Sequence, residues 1–251
     1  RKIQNIPWTQ ISPSVCAKSA QLVDALPTSA KTLLKVIAVL HTKFFPIHKS
    51  FATAVTTQLL TTVMPDKVNK DIATLLDLSI LGTVKAHLNL ERHAPTMIGM
   101  HDDDEDEDDE ATGGGSGIAL VFQSPAILDV VKSITLPVQF QQVSQFAAKE
   151  LDNYTLHAPQ HFFAKAHFLQ IAGEEQASRE NWGRGAEQLR QLRSEQPLSI
   201  QLRNLEDTMV EQLLAFGMSL EDIEKSTHLE LSDGVASPLL GVPLLPPHIV
   251  A

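Results

Sequence analysis

Residues 137–225 read PVQFQQVSQFAAKELDNYTLHAPQHFFAKAHFLQIAGEEQASRENWGRGAEQLRQLRSEQPLSIQLRNLEDTMVEQLLAFGMSLEDIEK, and this stretch decides the fold. Apolar residues recur in it at spacings of three and four, the period of an amphipathic helix. They form three stripes: Phe140, Val143, Ala147, Leu151 and Tyr154; Phe162, Ala166 and Leu169; Leu198, Leu202, Leu205, Met209, Leu213 and Phe216. Because such helices owe most of their stability to tertiary packing, each stripe needs a partner helix. The stretch predicts a helical scaffold.

Prolines and glycines predict where the helices of this stretch begin and end. Pro159 is placed to open a helix that ends near Gly173. Gly183 and Gly185 interrupt the charged segment that follows, which predicts two short helices with a bend between them. Pro197 is expected to start the last long helix of the chain.

Four helices joined by short turns are predicted before residue 90. They cover residues 14–26, a segment capped by Ser29, residues 48–63, and a segment from an Asp66 cap to about residue 89. Short turns make neighbouring helices antiparallel. Residues 117–123, GIALVFQ, are the one stretch with strand character, and they fit a buried helix start equally well.

The net charge of −10 comes almost entirely from residues 102–110, which are nine consecutive acidic residues. Removing them from the 30 acidic residues leaves 21 against 20 basic ones, so the rest of the chain is nearly neutral. The run and the glycines after it predict a disordered insertion at 93–117. The alternatives are an electrostatic lure for a basic partner and a cation site, although calcium loops alternate their ligands around a turn glycine.

The sequence predicts one all-α domain over residues 1–236, with about ten helices as stacked antiparallel hairpins in an α-solenoid, and a Pro/Leu-rich tail at 237–251.

The apolar runs are shorter than the roughly 20 residues that span a bilayer. Cys16 is the only cysteine, and we expect it to be buried. A single cysteine fits a reducing compartment, so the cytoplasm or the nucleus is expected.

Three groups of residues suggest chemistry, and each has a plainer interpretation. His157, His161 and His167 lie close together, but they lack the His-Glu-x-x-His order of a zinc protease and are interpreted as surface or cap histidines. Two carboxylate pairs, Asp71 with Asp77 and Glu174 with Glu175, have the spacing that helices offer everywhere. The glycines at 113–117 lack the Gly-Lys-Ser/Thr of a phosphate loop. We therefore expect no catalytic site, no metal, no cofactor and no small-molecule substrate.

The best candidate for a partner-contact surface is a basic cluster in residues 174–195. Its members are Arg179, Trp182, Arg184, Arg190 and Arg193. Glutamates interleave with the arginines, which indicates pairing along a helix and a solvated face. The alternatives are a mixed-charge protein contact and, more weakly, an RNA contact, for which Trp182 is the one aromatic residue nearby.

Several segments, in the right order, resemble the first MIF4G repeat (middle domain of initiation factor 4G) of the Up-frameshift 2 family of nonsense-mediated mRNA decay scaffolds. They are residues 1–6 (RKIQNI), 33–51 (LLKVIAVLHTKFFPIHKSF), 71–85 (DIATLLDLSILGTVK) and 151–214, with its Leu-Gln, Glu-Gln-Ala-Ser-Arg-Glu-Asn and Gly-Ala-Glu series. Residues 117–136 and the acidic insertion depart from the family pattern.

The resemblance implies a HEAT-like stack of helical hairpins without catalytic activity. It implies a scaffold of mRNA surveillance that contacts other proteins of that machinery, such as its kinase or ribosomal factors, and no functional residue carries over from the family. Two alternatives stay open: a helical subunit of a trafficking or organellar assembly, and a helical hydrolase with a dispersed site.

Overall fold

The computed structural model describes residues 13–44, 46–60, 63–86, 117–154 and 158–227. Four predictions lie outside these ranges: the entry segment at 1–6, His157, the acidic insertion except for Gly117, and the tail at 237–251. Within them the chain forms ten helices, which confirms a mostly helical fold. The helices are α1 (Pro13–Asp24), α2 (Thr28–Leu40), α3 (Lys49–Leu59), α4 (Pro65–Asp77), α5 (Pro125–Ser133), α6 (Pro137–Leu151), α7 (Pro159–Ala172), α8 (Glu175–Glu195), α9 (Ile200–Ala215) and α10 (Leu220–Thr227).

Helix α2 is the centre of the core. Its apolar residues continue around the whole helix, and Leu33, Leu34, Ile37 and Leu40 are each at most 1% exposed. A helix that is apolar on every side must be surrounded. Accordingly, α2 contacts α3, α4, α5 and α6.

Helices α6, α7 and α8 pack side by side in chain order, as the stripes of residues 137–225 predict. The middle of each stripe is buried, including Ala147, Ala166 and Met209. Leu198 is a correction, because it precedes α9 and is 89% exposed. Helix α1 packs on α5, and α2 packs on α6. Such contacts between distant segments are not those of repeats that touch only their neighbours, so the solenoid stays a prediction.

A small antiparallel sheet joins two segments predicted as turn or helix to residues 117–122, for which strand and helix were both left open. Strands β1 (Ile47–His48), β2 (Leu81–Ala86) and β3 (Gly117–Phe122) form it in the order β1-β3-β2. Ile47 and Thr83 both pair with Leu120 of the central strand, and Leu81 pairs with Phe122. The structure thus decides between the two interpretations of residues 117–123 in favour of a strand, and it moves Gly117 from the predicted insertion into the sheet.

The fourth predicted helix ends about twelve residues earlier than expected. Ser79 adopts a left-handed conformation at φ 53°. The Ile80 amide then donates to the Leu75 carbonyl at 3.0 Å, and the Ser79 amide donates to the Leu76 carbonyl at 2.9 Å. These two bonds end α4 in a Schellman turn. Residues 81–86 continue as a strand, so Val84, which a helix to residue 89 would place in its apolar row, is 45% exposed. A glycine or asparagine at this position would have predicted the turn from the sequence, whereas a serine does not.

Replacing Ser79 with glycine should therefore stabilise the protein. A non-glycine residue in the left-handed region costs roughly 1–2 kcal/mol, and glycine removes most of that cost while it adds some unfolded-state entropy. We expect a net gain of about 0.5–1 kcal/mol in the free energy of unfolding, measured by urea titration. The matched control is Ser79→Ala, which keeps the β-carbon and should give no gain; a gain equal to that of glycine would contradict the explanation.

Three residues predicted to start or cap helices do not hold those positions in the structure. Ser29 lies inside α2, where its hydroxyl donates to Asp71 Oδ1 at 3.1 Å instead of capping the helix. Met64 holds the cap position of α4 that was predicted for Asp66. Pro197 precedes α9 rather than starting it, because the Ser199 hydroxyl accepts from the Leu202 amide and caps the helix there.

Helix α8 runs without a break through Gly183 and Gly185, so the predicted bend is wrong. Gly185 is buried against α7: a β-carbon there would lie 2.5 Å from Cε1 and 2.7 Å from Cδ1 of Phe163. The glycine lets two helix backbones approach closely, and tertiary contact outweighs its low helix propensity.

Candidate protein-binding surface

The five residues predicted as a partner-contact surface lie on α8, but they do not form one patch. At 3.6 residues per turn, Arg179 and Arg190 lie within about 20° of each other around the helix axis, and Arg184 lies about 140° from Arg179. Arg179, Arg184 and Arg190 are exposed, and Arg193 is half-buried. The structure therefore separates Arg184 from the other arginines.

Trp182 is a correction, because it lies inside the protein. It is 3% exposed, stacks on Phe163 with 5.4 Å between ring centroids, and meets Phe44 edge-on at 5.5 Å. Its position places the indole among the helix residues that face α7. A buried indole cannot stack on an RNA base, which removes the aromatic residue on which the RNA alternative depended.

Arg193 joins the end of α8 to α9 through an ion pair with Glu206. The Glu206 side chain is only 10% exposed, whereas that of Arg193 is 35% exposed. Arg179 pairs instead with Glu175 one turn earlier, at 3.8 Å, with both side chains about 70% exposed. An exposed pair of this kind contributes little to stability, so only the Arg193 pair helps to fix the position of α9.

The turn between α8 and α9 exposes apolar side chains beside two of these arginines. Leu198 and Ile200 are 89% and 74% exposed. Arg190 and Arg193 lie in the last two turns of α8, and Leu198 follows Arg193 by five residues. We call these four residues the α8–α9 corner. Exposed aliphatic side chains flanked by charges are typical of a surface that another protein covers.

A cavity of about 560 Å³ lies at the opposite end of α9, and we call it the α10 cleft. Its lining comes from α7, α8, α9, α10 and the turn before α10: Gln170, Glu175, Arg179, Trp182, Leu213, Phe216, Gly217, Met218, Asp222 and Lys225. Apolar and aromatic side chains form one part of it. Its charged residues include Arg179, paired with Glu175, and Lys225, whose Nζ lies 2.9 Å from Glu221 Oε1.

The end of α9 shapes this cleft. Gly217 adopts φ 84°, and the Met218 amide donates to the Leu213 carbonyl at 3.1 Å in a Schellman turn. That turn brings Met218 back beside Leu213, and both residues line the cleft. The sequence stripe identified Leu213 and Phe216 as apolar partners, but only the turn geometry shows that a cavity lies beside them.

Two of the three histidines are corrections to the expected surface positions. His161 is 2% exposed, and His167 lies among the rings of Phe44, Phe168 and Phe216, with ring centroids 5.5–6.4 Å away. Burial, with a smaller contribution from the charge of Lys132, lowers the pKa of His167 to about 4. His167 is therefore a neutral, partly exposed side chain among aromatic rings at physiological pH. His157 lies outside the described ranges.

The remaining candidates for chemistry stay apart. Asp71 accepts the Ser29 hydroxyl, while Asp77, Glu174 and Glu175 are exposed. Cys16, expected to be buried, is half-exposed. Within the described ranges, no three histidine, cysteine or acidic side chains come close enough to hold a metal ion. None of the ten helices listed above is both long and apolar enough to cross a membrane.

Comparison of the chain with protein-family models, curated proteins and solved structures gives no match. The likeness to MIF4G repeats therefore rests on the quoted sequence segments alone.

Proposed function

We propose that this chain is a non-catalytic helical scaffold domain that binds a protein partner at the α8–α9 corner. The observation that carries the proposal is the exposure of Leu198 and Ile200, at 89% and 74%, in the turn between α8 and α9. Burying such side chains supplies about 25 cal/mol for each Å² of apolar surface removed from water. The contact is therefore mainly apolar, which favours a partner that presents an apolar stripe of its own.

The specific form of the proposal is a scaffold of nonsense-mediated mRNA decay whose partners are proteins of that machinery, in the cytoplasm or shuttling through the nucleus. It is supported by the likeness of residues 33–51, 71–85 and 151–214 to the MIF4G repeat. The alternative is a helical subunit of a trafficking or organellar complex, which the same exposed corner would serve equally well. A direct RNA contact is the weaker variant, because the arginines of α8 lie among glutamates.

Capture from cell extract with the full chain as bait tests the proposal. Ile200→Asp should reduce recovery of the bound proteins about tenfold or more, the equivalent of 1.4 kcal/mol, because it places a charge in the apolar contact. Met64→Asp is the matched control: Met64 is also 74% exposed but lies at the α3–α4 turn. Equal recovery with both variants would refute binding at the corner.

The identity of the captured proteins separates the specific forms. Decay factors that survive ribonuclease support the surveillance scaffold, and coat or membrane-complex subunits support the alternative. Decay factors lost on ribonuclease treatment would indicate a contact through RNA.

A further inference from the structure

The α10 cleft has no occupant within the described part of the chain, and its lining combines an apolar part with charged side chains. Half-exposed Phe216 and Met218 supply most of the apolar surface, while Leu213 and Trp182 border the cleft but are only 1% and 3% exposed. Two of the charged lining residues, Arg179 and Lys225, already have acidic partners, Glu175 and Glu221. Because these acidic partners already balance the two basic residues, the cleft offers an acidic ligand little uncompensated charge, whereas aliphatic side chains can cover Phe216 and Met218.

One segment of this chain has that composition. Residues 237–251, SPLLGVPLLPPHIVA, contain no acidic or basic residue apart from His248. Leucine pairs at 239–240 and 244–245 each follow a proline. Proline-rich segments favour the extended polyproline II form, which binds grooves lined by aromatic side chains at a low cost in conformational entropy.

The position of α10 puts this segment within reach. Lys225 lines the cleft two residues before α10 ends at Thr227, so the chain leaves the helix beside the cleft. Leu239 lies twelve positions after Thr227, a separation that spans at most about 40 Å when extended. Helix α10 itself is only about 12 Å long, at 1.5 Å per residue. The connection is therefore long enough to turn back over the cleft, and closing a loop of this length costs little additional entropy.

We propose that residues 237–251 occupy the α10 cleft of their own chain, with the leucine pairs against Leu213, Phe216 and Met218. The α8–α9 corner lies at the other end of α9, about 20 Å away along the helix from Ile200 to Leu213. Occupation of the cleft is thus independent of partner binding at the corner, and either proposal can fail without the other.

Disulfide trapping in the full chain tests this proposal. In a Cys16→Ser background, Met218→Cys with Leu244→Cys should oxidise to an intrachain disulfide, read as a faster-running monomer on a non-reducing gel and located by mass spectrometry. The control pair is Met64→Cys with Leu244→Cys, which places the first thiol on an exposed methionine of the α3–α4 turn. We expect at least a tenfold higher yield for the Met218 pair in dilute protein.

Equal yields for the two pairs would overturn the proposal, and so would a disulfide that forms only between two copies. A synthetic peptide of residues 237–251 provides a second measurement. Added in excess, it should suppress trapping of the Met218 pair, whereas a peptide with all four leucines replaced by serine should not. Suppression by both peptides or by neither would count against a specific site.

Discussion

Replacing Gly185 with valine is expected to lower the free energy of unfolding by about 3 kcal/mol, the upper part of the range for overpacking a core. The β-carbon would lie 2.5 Å from Cε1 of Phe163 and 3.1 Å from the β-carbon of Phe162. Phe163 is fully buried and stacks on Trp182, so its ring has no free direction in which to move. Helices α7 and α8 would have to separate.

Thermal unfolding followed by circular dichroism measures this loss. For a chain of this size, about 3 kcal/mol corresponds to a fall in Tm of roughly 6–12 °C. Gly183→Ala is the matched control on the same helix, since Gly183 is half-buried and alanine has the higher helix propensity. It should leave the Tm unchanged or raise it. If the Tm of Gly185→Val equals that of the native protein, α7 and α8 are not in close contact.

Acid is expected to destabilise the protein through His167. The pKa of this side chain is about 4 in the folded protein and 6.5 as the unperturbed value, so the unfolded state binds more protons between those pH values. The stability due to neutral His167 is complete above pH 6.5, and it is lost as the pH falls from 6.5 towards 4. At pH 5 the loss is about 2 kcal/mol relative to pH 8.

Urea titrations between pH 4.5 and 8 measure the effect, and His167→Phe is the informative variant because phenylalanine does not titrate. Its stability at pH 8 can differ in either direction, but its dependence on pH should be shallower by about 2 kcal/mol over this range. Some dependence will persist, since burial also lowers the pKa of His41. An unchanged pH profile in the variant would mean that His167 is accessible to protons in the folded state.

The sequence predicts helices well where local and tertiary preferences agree. Pro159 lies in the first turn of α7, and that helix ends at Gly173, as expected. The predictions fail where tertiary contact opposes local propensity. Gly185 stays helical because Phe163 packs against it, and Ser79 turns left-handed although serine does not favour that conformation.

The candidate sites show the same division. The periodicity of the sequence placed Leu213 and Phe216 in one apolar stripe, and its charge pattern placed the arginines of α8 in one basic cluster. Which face each residue occupies depends on neighbours distant in sequence: Phe44 and Phe163 enclose Trp182, and Glu206 holds Arg193. Strand β2 was missed for a similar reason, because its partner β3 begins 30 residues after it ends. Pairing at that separation leaves no periodic pattern in a local window.

The β2–β3 pair also fixes the two points at which the most acidic part of the chain is attached to the fold. Ala86 and Gly117 face each other across the two strands, so both ends of the intervening 30 residues are held about 5 Å apart. An insertion of any length between these two residues therefore begins and ends at the same place on the fold. The chain can therefore lengthen, shorten or exchange this segment over evolution, or accept an engineered domain in its place, while α1–α4 and α5–α10 keep their contacts.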